Sequence, residues 1–249
     1  MSQFPTLSLA QRYQQVRDRL QAATHSAGRP ENSVSLLAVS KRQPASAIRE
    51  LHGLGQRAFG ENYVQEALGK QAELADLDIE WHLIGPLQSN KTREAATHFA
   101  WVHSVDRLKI AQRLAAQRPD GLPPLNVCLQ VNIDDEDSKS GCLPADLPAL
   151  ATAVLALPAL RLRGLMCIPR PGNHTALVAL AKTAGDLAAR LPALQSAPFD
   201  TLSMGMSDDL DPAVAAGSTL VRIGTALFGE RPFTAVMPAP SSASEEVQS

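Results

Sequence analysis

The chain has no basic run, no apolar stretch long enough to cross a membrane and no Cys-x-x-Cys pair, and each absence removes a class of function. Lys and Arg number 23 against 25 Asp and Glu, so the electrostatic footprint of a nucleic-acid binder or of a polybasic membrane patch is missing. Small metabolites are the partners such a surface leaves. Met1-Ser2-Gln3-Phe4-Pro5 lacks the charged segment and apolar core of a secretory signal, which makes the cytoplasm the expected location. The three cysteines, Cys128, Cys142 and Cys167, are odd in number and widely spaced, which argues against a metal or redox motif. Cys128 and Cys167 lie in apolar runs and are expected to pack as small hydrophobes. The Gly-x-Gly-x-x-Gly fingerprint of dinucleotide-binding sheets is also absent.

What is present is a regular alternation. Ser8-Leu9-Ala10-Gln11 has the form of a capping box, and Leu9, Tyr13, Val16 and Leu20 follow at helical spacing, predicting an amphipathic helix over 8–27. Eight short apolar runs come next, at 34–40, 58–59, 81–84, 101–104, 125–133, 162–168, 201–204 and 220–223. Between them lie helical patterns such as Val64, Ala67, Leu68, Gln71 and Leu74. Strand and helix alternating without a break in composition predict a parallel sheet, and eight repeats of the unit predict closure into a single (β/α)8 barrel; an open doubly wound sheet is the alternative. The tail at 234–249 is rich in Pro, Ser, Ala and Glu and is expected to be disordered, leaving 1–233 as one domain.

In such a barrel the loops after the strands build the active face. Lys41 closes the run Leu36-Leu37-Ala38-Val39-Ser40, where a charged amine is out of place. Either it snorkels into solvent, or it sits desolvated as a neutral nucleophile able to form a Schiff base with an aldehyde. After the second run come Gly60-Glu61-Asn62-Tyr63, and after the third the stretch from Gly85 to Lys91. The last two runs are followed by Gly205-Met206-Ser207-Asp208 and by Gly224-Thr225, the places where barrels commonly hold a phosphate through backbone N–H groups. Ser207 reads equally as an N-cap, and Arg222 as half of a surface ion pair. Asp134, Asp135 and Asp137 suggest a calcium loop, but Lys139 falls where that motif needs an acid and Gly141 comes one place late, so no metal is assigned. His82 and His103 are read as hydrogen-bonded rim or core histidines rather than proton shuttles.

These segments together resemble the pyridoxal phosphate homeostasis protein family, whose barrel is similar to the N-terminal domain of alanine racemases. The resemblance runs from about Leu36 to Phe233 and rests on ordered matches. They include Leu37-Ala38-Val39-Ser40-Lys41, Phe59-Gly60-Glu61-Asn62-Tyr63, His82-Leu83-Ile84-Gly85-Pro86-Leu87-Gln88-Ser89-Asn90-Lys91, Ser203-Met204-Gly205-Met206-Ser207-Asp208 and Val221-Arg222-Ile223-Gly224-Thr225. It implies that Lys41 holds pyridoxal phosphate as an internal aldimine and that Ser207, Gly224 and Thr225 take the phosphate. Arg222 would face the pyridine nitrogen, and Asn62 would touch the ring from the rim. An arginine there leaves the nitrogen unprotonated and the ring a weak electron sink. Racemisation also needs a second base, in the racemases a tyrosine from another domain, and the only tyrosines here are Tyr13, on the leading helix, and Tyr63, expected to pack under its loop. The resemblance therefore implies a carrier and regulator of vitamin B6 without established turnover, with PLP-dependent apo-enzymes as recipients. A weak amino-acid racemase and a non-covalent phosphate-binding barrel are the alternatives. Lys91 and Lys139 are either transient acceptors of the aldehyde or solvated charges, and the leading helix packs on the barrel or on a partner, for a monomer or a weak dimer.

Overall fold

In a computed structural model, which describes residues 7–134, 136, 140–195 and 197–229, the alternation becomes a closed ring. The order is α1 (Leu9–Ser26), β1 (Ser35–Val39), α2 (Ala45–Gly53), β2 (Ala58–Glu61), α3 (Val64–Glu73), β3 (Glu80–Leu83), α4 (Thr92–His98), β4 (Trp101–Val105) and α5 (Leu108–Gln117). It continues through β5 (Leu125–Gln130), α6 (Leu147–Leu155), β6 (Leu160–Met166), α7 (His174–Arg190), β7 (Thr201–Ser203), α8 (Leu210–Ala215), β8 (Leu220–Ile223) and α9 (Thr225–Phe228). Each strand pairs in parallel with the next, and β8 returns to β1 with Leu37 opposite Arg222, so the sheet is a (β/α)8 barrel and not an open one. The tail expected to be disordered lies outside the described residues. Among the described residues no helix is long and apolar enough to cross a membrane.

The strands are buried on both faces, and alternation sorts their side chains. Ala38, Phe59, Leu83, Val102 and Leu129 point outward into the main core beneath the helices, while Leu37, Val39, Ile84 and Leu220 form a separate cluster inside the barrel. β2 runs two residues past the apolar pair that predicted it. Gly60 fits because a Cβ there would lie 3.1 Å from Leu37 in the crowded interior, and Glu61 is accommodated outside the sheet by Lys70 of α3 at 2.7 Å. β5 conversely stops at Gln130, three residues short of its apolar run.

The capping box at the start of α1 is present in both directions: Ser8 Oγ accepts from the Gln11 N–H at 3.2 Å, and Gln11 Oε1 accepts from the Ser8 N–H at 2.9 Å. Buried Leu9, Tyr13, Val16 and Leu20 seat this helix against α2, α8 and α9. It takes the place in the outer ring that a longer helix after β8 would occupy. Arg12 Nε donates to the Leu227 carbonyl at 2.7 Å and Arg19 Nη1 to the Ser207 carbonyl at 2.7 Å, so α1 also braces the chain that follows β7 and β8. The leading helix thus packs on its own barrel.

Candidate functional site

Lys41 lies two residues past the end of β1, after Ser40, and is partly buried. It is next in the alternating series that turns Leu37 and Val39 inward. The chain bends sharply after it: Arg42 has φ 60°, the Gln43 N–H donates to the Ser40 carbonyl at 2.9 Å, and Glu66 accepts from the Arg42 N–H. Behind this turn Lys70 Nζ donates to the Ser40 carbonyl, to Glu61 Oε1 and to Glu66 Oε1, each at 2.7 Å, and Ser40 Oγ donates to Glu61 at 2.6 Å. Burial pushes the Glu61 carboxyl above its ordinary range, against the pull of Lys70. The ion cluster lies on the helix side of the sheet and holds the turn that presents Lys41.

Asn62 follows β2, partly buried, with its backbone pressed against Gly85 after β3. A Cβ at residue 85 would sit 2.2 Å from the Asn62 carbonyl oxygen, so only glycine permits this approach, and Ser104 Oγ fixes Gly85 by donating to its carbonyl at 2.6 Å. Tyr63 does not pack under the loop as expected. It is 52% exposed, because β2 ends at Glu61 and Tyr63 is already the residue that caps α3, where its side chain turns to solvent.

The two loops read as phosphate sites stand on neighbouring strands. Gly205 has φ +95°, a left-handed conformation, and a Cβ there would meet Ala213 at 2.5 Å. Ser207 is not an N-cap: Asp209 caps α8 in sequence position, and its carboxylate accepts from the Met206 N–H. The half-buried Ser207 hydroxyl is therefore not spent on the helix. Gly224 lies over β1, where a Cβ would meet the Val39 carbonyl oxygen at 3.4 Å. Thr225 opens α9 with an exposed side chain; the Leu227 and Phe228 amides donate to the Gly224 carbonyl at 3.0 and 2.9 Å, so the amides of Thr225 and Ala226 are the ones that the helix itself does not use.

Arg222 is no surface ion pair. It is 4% exposed inside the barrel, with Nη1 donating to Ser203 Oγ at 2.9 Å and to the Ser203 carbonyl, and Nη2 to the Cys167 carbonyl at 2.8 Å. Burial lowers its pKa, opposed by Cys167, Asp209 and Cys128, and a guanidinium remains charged under such a shift. No role was foreseen for Ser203 or Cys167, and both hold Arg222. Ser203 was detectable, since it lies on the inward alternation of β7; a carbonyl contact such as that of Cys167 leaves no trace in sequence.

His82 and His103 are buried core histidines joined at 2.9 Å. Lys91 is part-exposed and 3.5 Å from Glu94, and Lys139 lies outside the described residues. Asn132 closes its own loop, its amide donating to the Glu136 carbonyl at 2.8 Å. All three cysteines are buried, and burial raises Cys128 to about 12 and Cys142 to about 11. Among the described residues no group of His, Cys, Asp or Glu is arranged to hold a metal ion. A groove of about 900 Å³ opens between α1 and the starts of β1 and β2, at the opposite end of the barrel from Lys41, and none of the candidate residues lines it.

The set comes together on one arc of the rim, after the adjacent strands β7, β8, β1 and β2. It offers an amine, two hydroxyls, glycine-opened backbone amides and a buried guanidinium, a donor set that suits a ligand with a phosphate at one end and a carbonyl electrophile on an aromatic nitrogen ring.

Comparison with known proteins supplies independent findings. The sequence profile of the alanine racemase N-terminal domain matches residues 12–232. A pyridoxal phosphate homeostasis protein of Pseudomonas aeruginosa is 60% identical over 233 residues, covering 92% of this chain and 98% of the relative. A protein of that name from Escherichia coli K12 is 53% identical over 231 residues, covering 91% and 98%. Among solved structures, PipY of Synechococcus elongatus with pyridoxal phosphate bound superposes with a TM-score of 0.78 at 41% identity, over 89% of this chain and 100% of PipY. The alanine racemase of Corynebacterium glutamicum, at 15% identity and a TM-score of 0.63 over 89% of this chain and 62% of that one, shares the fold.

Proposed function

Because the chain belongs to the pyridoxal phosphate homeostasis proteins, within the alanine racemase N-terminal-domain family, we propose that it binds pyridoxal phosphate at the rim of its barrel and buffers the cofactor in the cell. The observation that carries this reading is the meeting of Lys41 with the Ser207 and Gly224 loops on neighbouring strands. The cofactor would supply a reactive aldehyde on an electron-accepting ring, and Lys41 would be the amine that holds it. Ser207, Thr225 and the amides after Gly224 bind the phosphate, with Arg12 and Arg19 of α1 bracing their loops from outside. Arg222 would face the ring nitrogen as a fixed positive charge, which would disfavour its protonation. Asn62 borders the ring.

The relatives are named for homeostasis and not for a turnover. A carrier is also what the surroundings of Lys41 support. The side chains beneath it are the apolar Leu37, Val39, Ile84 and Leu220, and neither tyrosine stands inside the barrel. Tyr13 is buried outside the barrel, 3.4 Å from Gln56, and Tyr63 is exposed at the start of α3. The recipients are PLP-dependent apo-enzymes, and the seating of α1 on its own barrel supports a monomer.

The test is the visible spectrum of the protein with added pyridoxal phosphate, run beside Lys41→Ala and followed by borohydride reduction and peptide mapping. A yellow species absent from the variant, with the reduced adduct on Lys41, is the expected result. A colourless wild type overturns the reading, and solvent deuterium entering the α-position of an amino acid above the rate of free cofactor would replace the carrier with a catalyst.

A further inference from the structure

The interior of the barrel contains a continuous line of polar side chains that leads to Arg222 and whose other members the cofactor site does not use directly. It starts at Glu80, the first residue of β3, half exposed at the end of the barrel away from Lys41. Glu80 Oε1 is 2.8 Å from His82 Nε2, His82 Nδ1 is 2.9 Å from His103 Nε2, and His103 Nδ1 is 2.8 Å from Ser203 Oγ. Ser203 Oγ is in turn 2.9 Å from Arg222 Nη1. The line crosses from β3 through β4 to β7 and β8.

Its direction is fixed at both ends. An ionised carboxylate only accepts, so His82 Nε2 carries a hydrogen and donates to Glu80. With His82 neutral, its Nδ1 accepts from His103 Nε2–H; His103 Nδ1 then accepts from the Ser203 hydroxyl, whose oxygen accepts from Arg222. Every donor points from the cation toward the anion. The reverse polarity would set a lone pair of His82 against the carboxylate. Burial favours neutral rings throughout, lowering His82 and, more strongly, His103, whose neighbours His82 and Arg222 add to the effect. Trp101 stacks on His82 at 5.3 Å and holds the plane of the ring. The line cannot pass protons to the rim, because it ends in a guanidinium that does not give one up.

We propose that Glu80, His82, His103 and Ser203 are positioning residues: a one-way hydrogen-bonded line that locks both histidines as Nε2–H tautomers and fixes the orientation of Arg222 toward the ring nitrogen of a ligand at the rim. The proposal rests on the cofactor reading above for the identity of that ligand, but not for the line itself. Aligned hydrogen bonds polarise one another, so Ser203 is a better acceptor for Arg222 than an isolated hydroxyl, and removing charge at Glu80 is felt at the far end. A filler role alone would be served by the branched aliphatic side chains that usually occupy barrel interiors.

The experiment has two parts. In the cofactor-free chain at neutral pH, long-range 15N–1H correlation spectra are expected to show His82 and His103 as neutral Nε2–H tautomers, and Glu80→Gln to move the Arg222 side-chain resonances; an Nδ1–H tautomer at either ring, or no shift at Arg222, overturns the line. With pyridoxal phosphate, Ser203→Ala is expected to speed cofactor loss roughly tenfold, the scale of one hydrogen bond to a charged group, and to move the visible absorbance maximum. Glu80→Gln, at a half-exposed site, is expected to move that maximum without lowering the melting temperature. Unchanged spectra and release rates in both variants would leave the line as packing and refute the proposal. A wild-type chain that stays colourless while the tautomers and the Arg222 shift appear as expected upholds the line and removes the cofactor reading instead.

Discussion

The two walls of the barrel interior are built on opposite principles. Below Lys41 stand Leu37, Val39, Ile84 and Leu220, which cohere by excluding water; beside them, His82, His103, Ser203 and Arg222 are held by directed hydrogen bonds. An apolar wall tolerates change of shape at a graded cost, whereas a polar line has few members, each with one correct orientation. The amine therefore sits above an apolar cluster, and the guanidinium where its hydrogen-bond partners dictate its orientation.

The largest separation between the walls is expected in stability. Leu37 is fully buried and in contact with the space kept open by Gly60, so Leu37→Ala should cost about 3 kcal/mol in urea unfolding while the cofactor spectrum keeps its maximum. Ser203→Ala should show the converse pattern, a moved spectrum with a smaller loss of stability. Equal responses in both assays would erase the distinction.

A medium effect is expected in acid. His82 and His103 have folded-state pKa values below 6.5, so the unfolded chain binds more protons, and the stability they contribute is present above pH 6.5 and lost as pH falls below it. Each contributes a slope of about 1.4 kcal/mol per pH unit within its window, and that of His103 extends further down. Glu61 runs the other way, since its raised value adds stability as pH falls toward the ordinary carboxylate range. Comparing His103→Phe with the wild type between pH 7 and 5.5 cancels the Glu61 term; the variant should lose one histidine's share of the slope, and an unaltered slope would mean that His103 is charged in the folded chain.

The smallest effect is expected at the thiols. Cys128, which packs against Trp101 and Met166, is raised to about 12, so it and the other buried cysteines should resist alkylation at pH 8 until the chain is unfolded. Rapid labelling of Cys128 in the native protein would show that the interior opens.

The barrel was legible because each strand-helix repeat writes its own signal: apolar runs of strand length, helical spacing between them, and a glycine or polar residue after each. Lys41, the Ser207 loop and the Gly224–Thr225 turn could be found as polar residues following such runs. Tyr63 was misplaced because the end of β2 was set by Glu61, a charged residue that reads as loop until Lys70 is known to neutralise it. Arg222 could be found but its environment could not, since a surface ion pair and a buried guanidinium look alike along the chain.

Sequence by itself determined the alternation of elements and the polar residues that follow each strand, because local periodicity and chain order specify these directly; the pairing of β8 with β1 then closed the sheet. Only the tertiary structure decided the contents of the interior. Glu80, His82, His103, Ser203 and Arg222 are spread over more than 140 positions, and what aligns them is the register of strands β3, β4, β7 and β8 around a closed barrel. Hydrogen-bond direction depends on that alignment to within a few tenths of an ångström, a quantity that no local pattern carries.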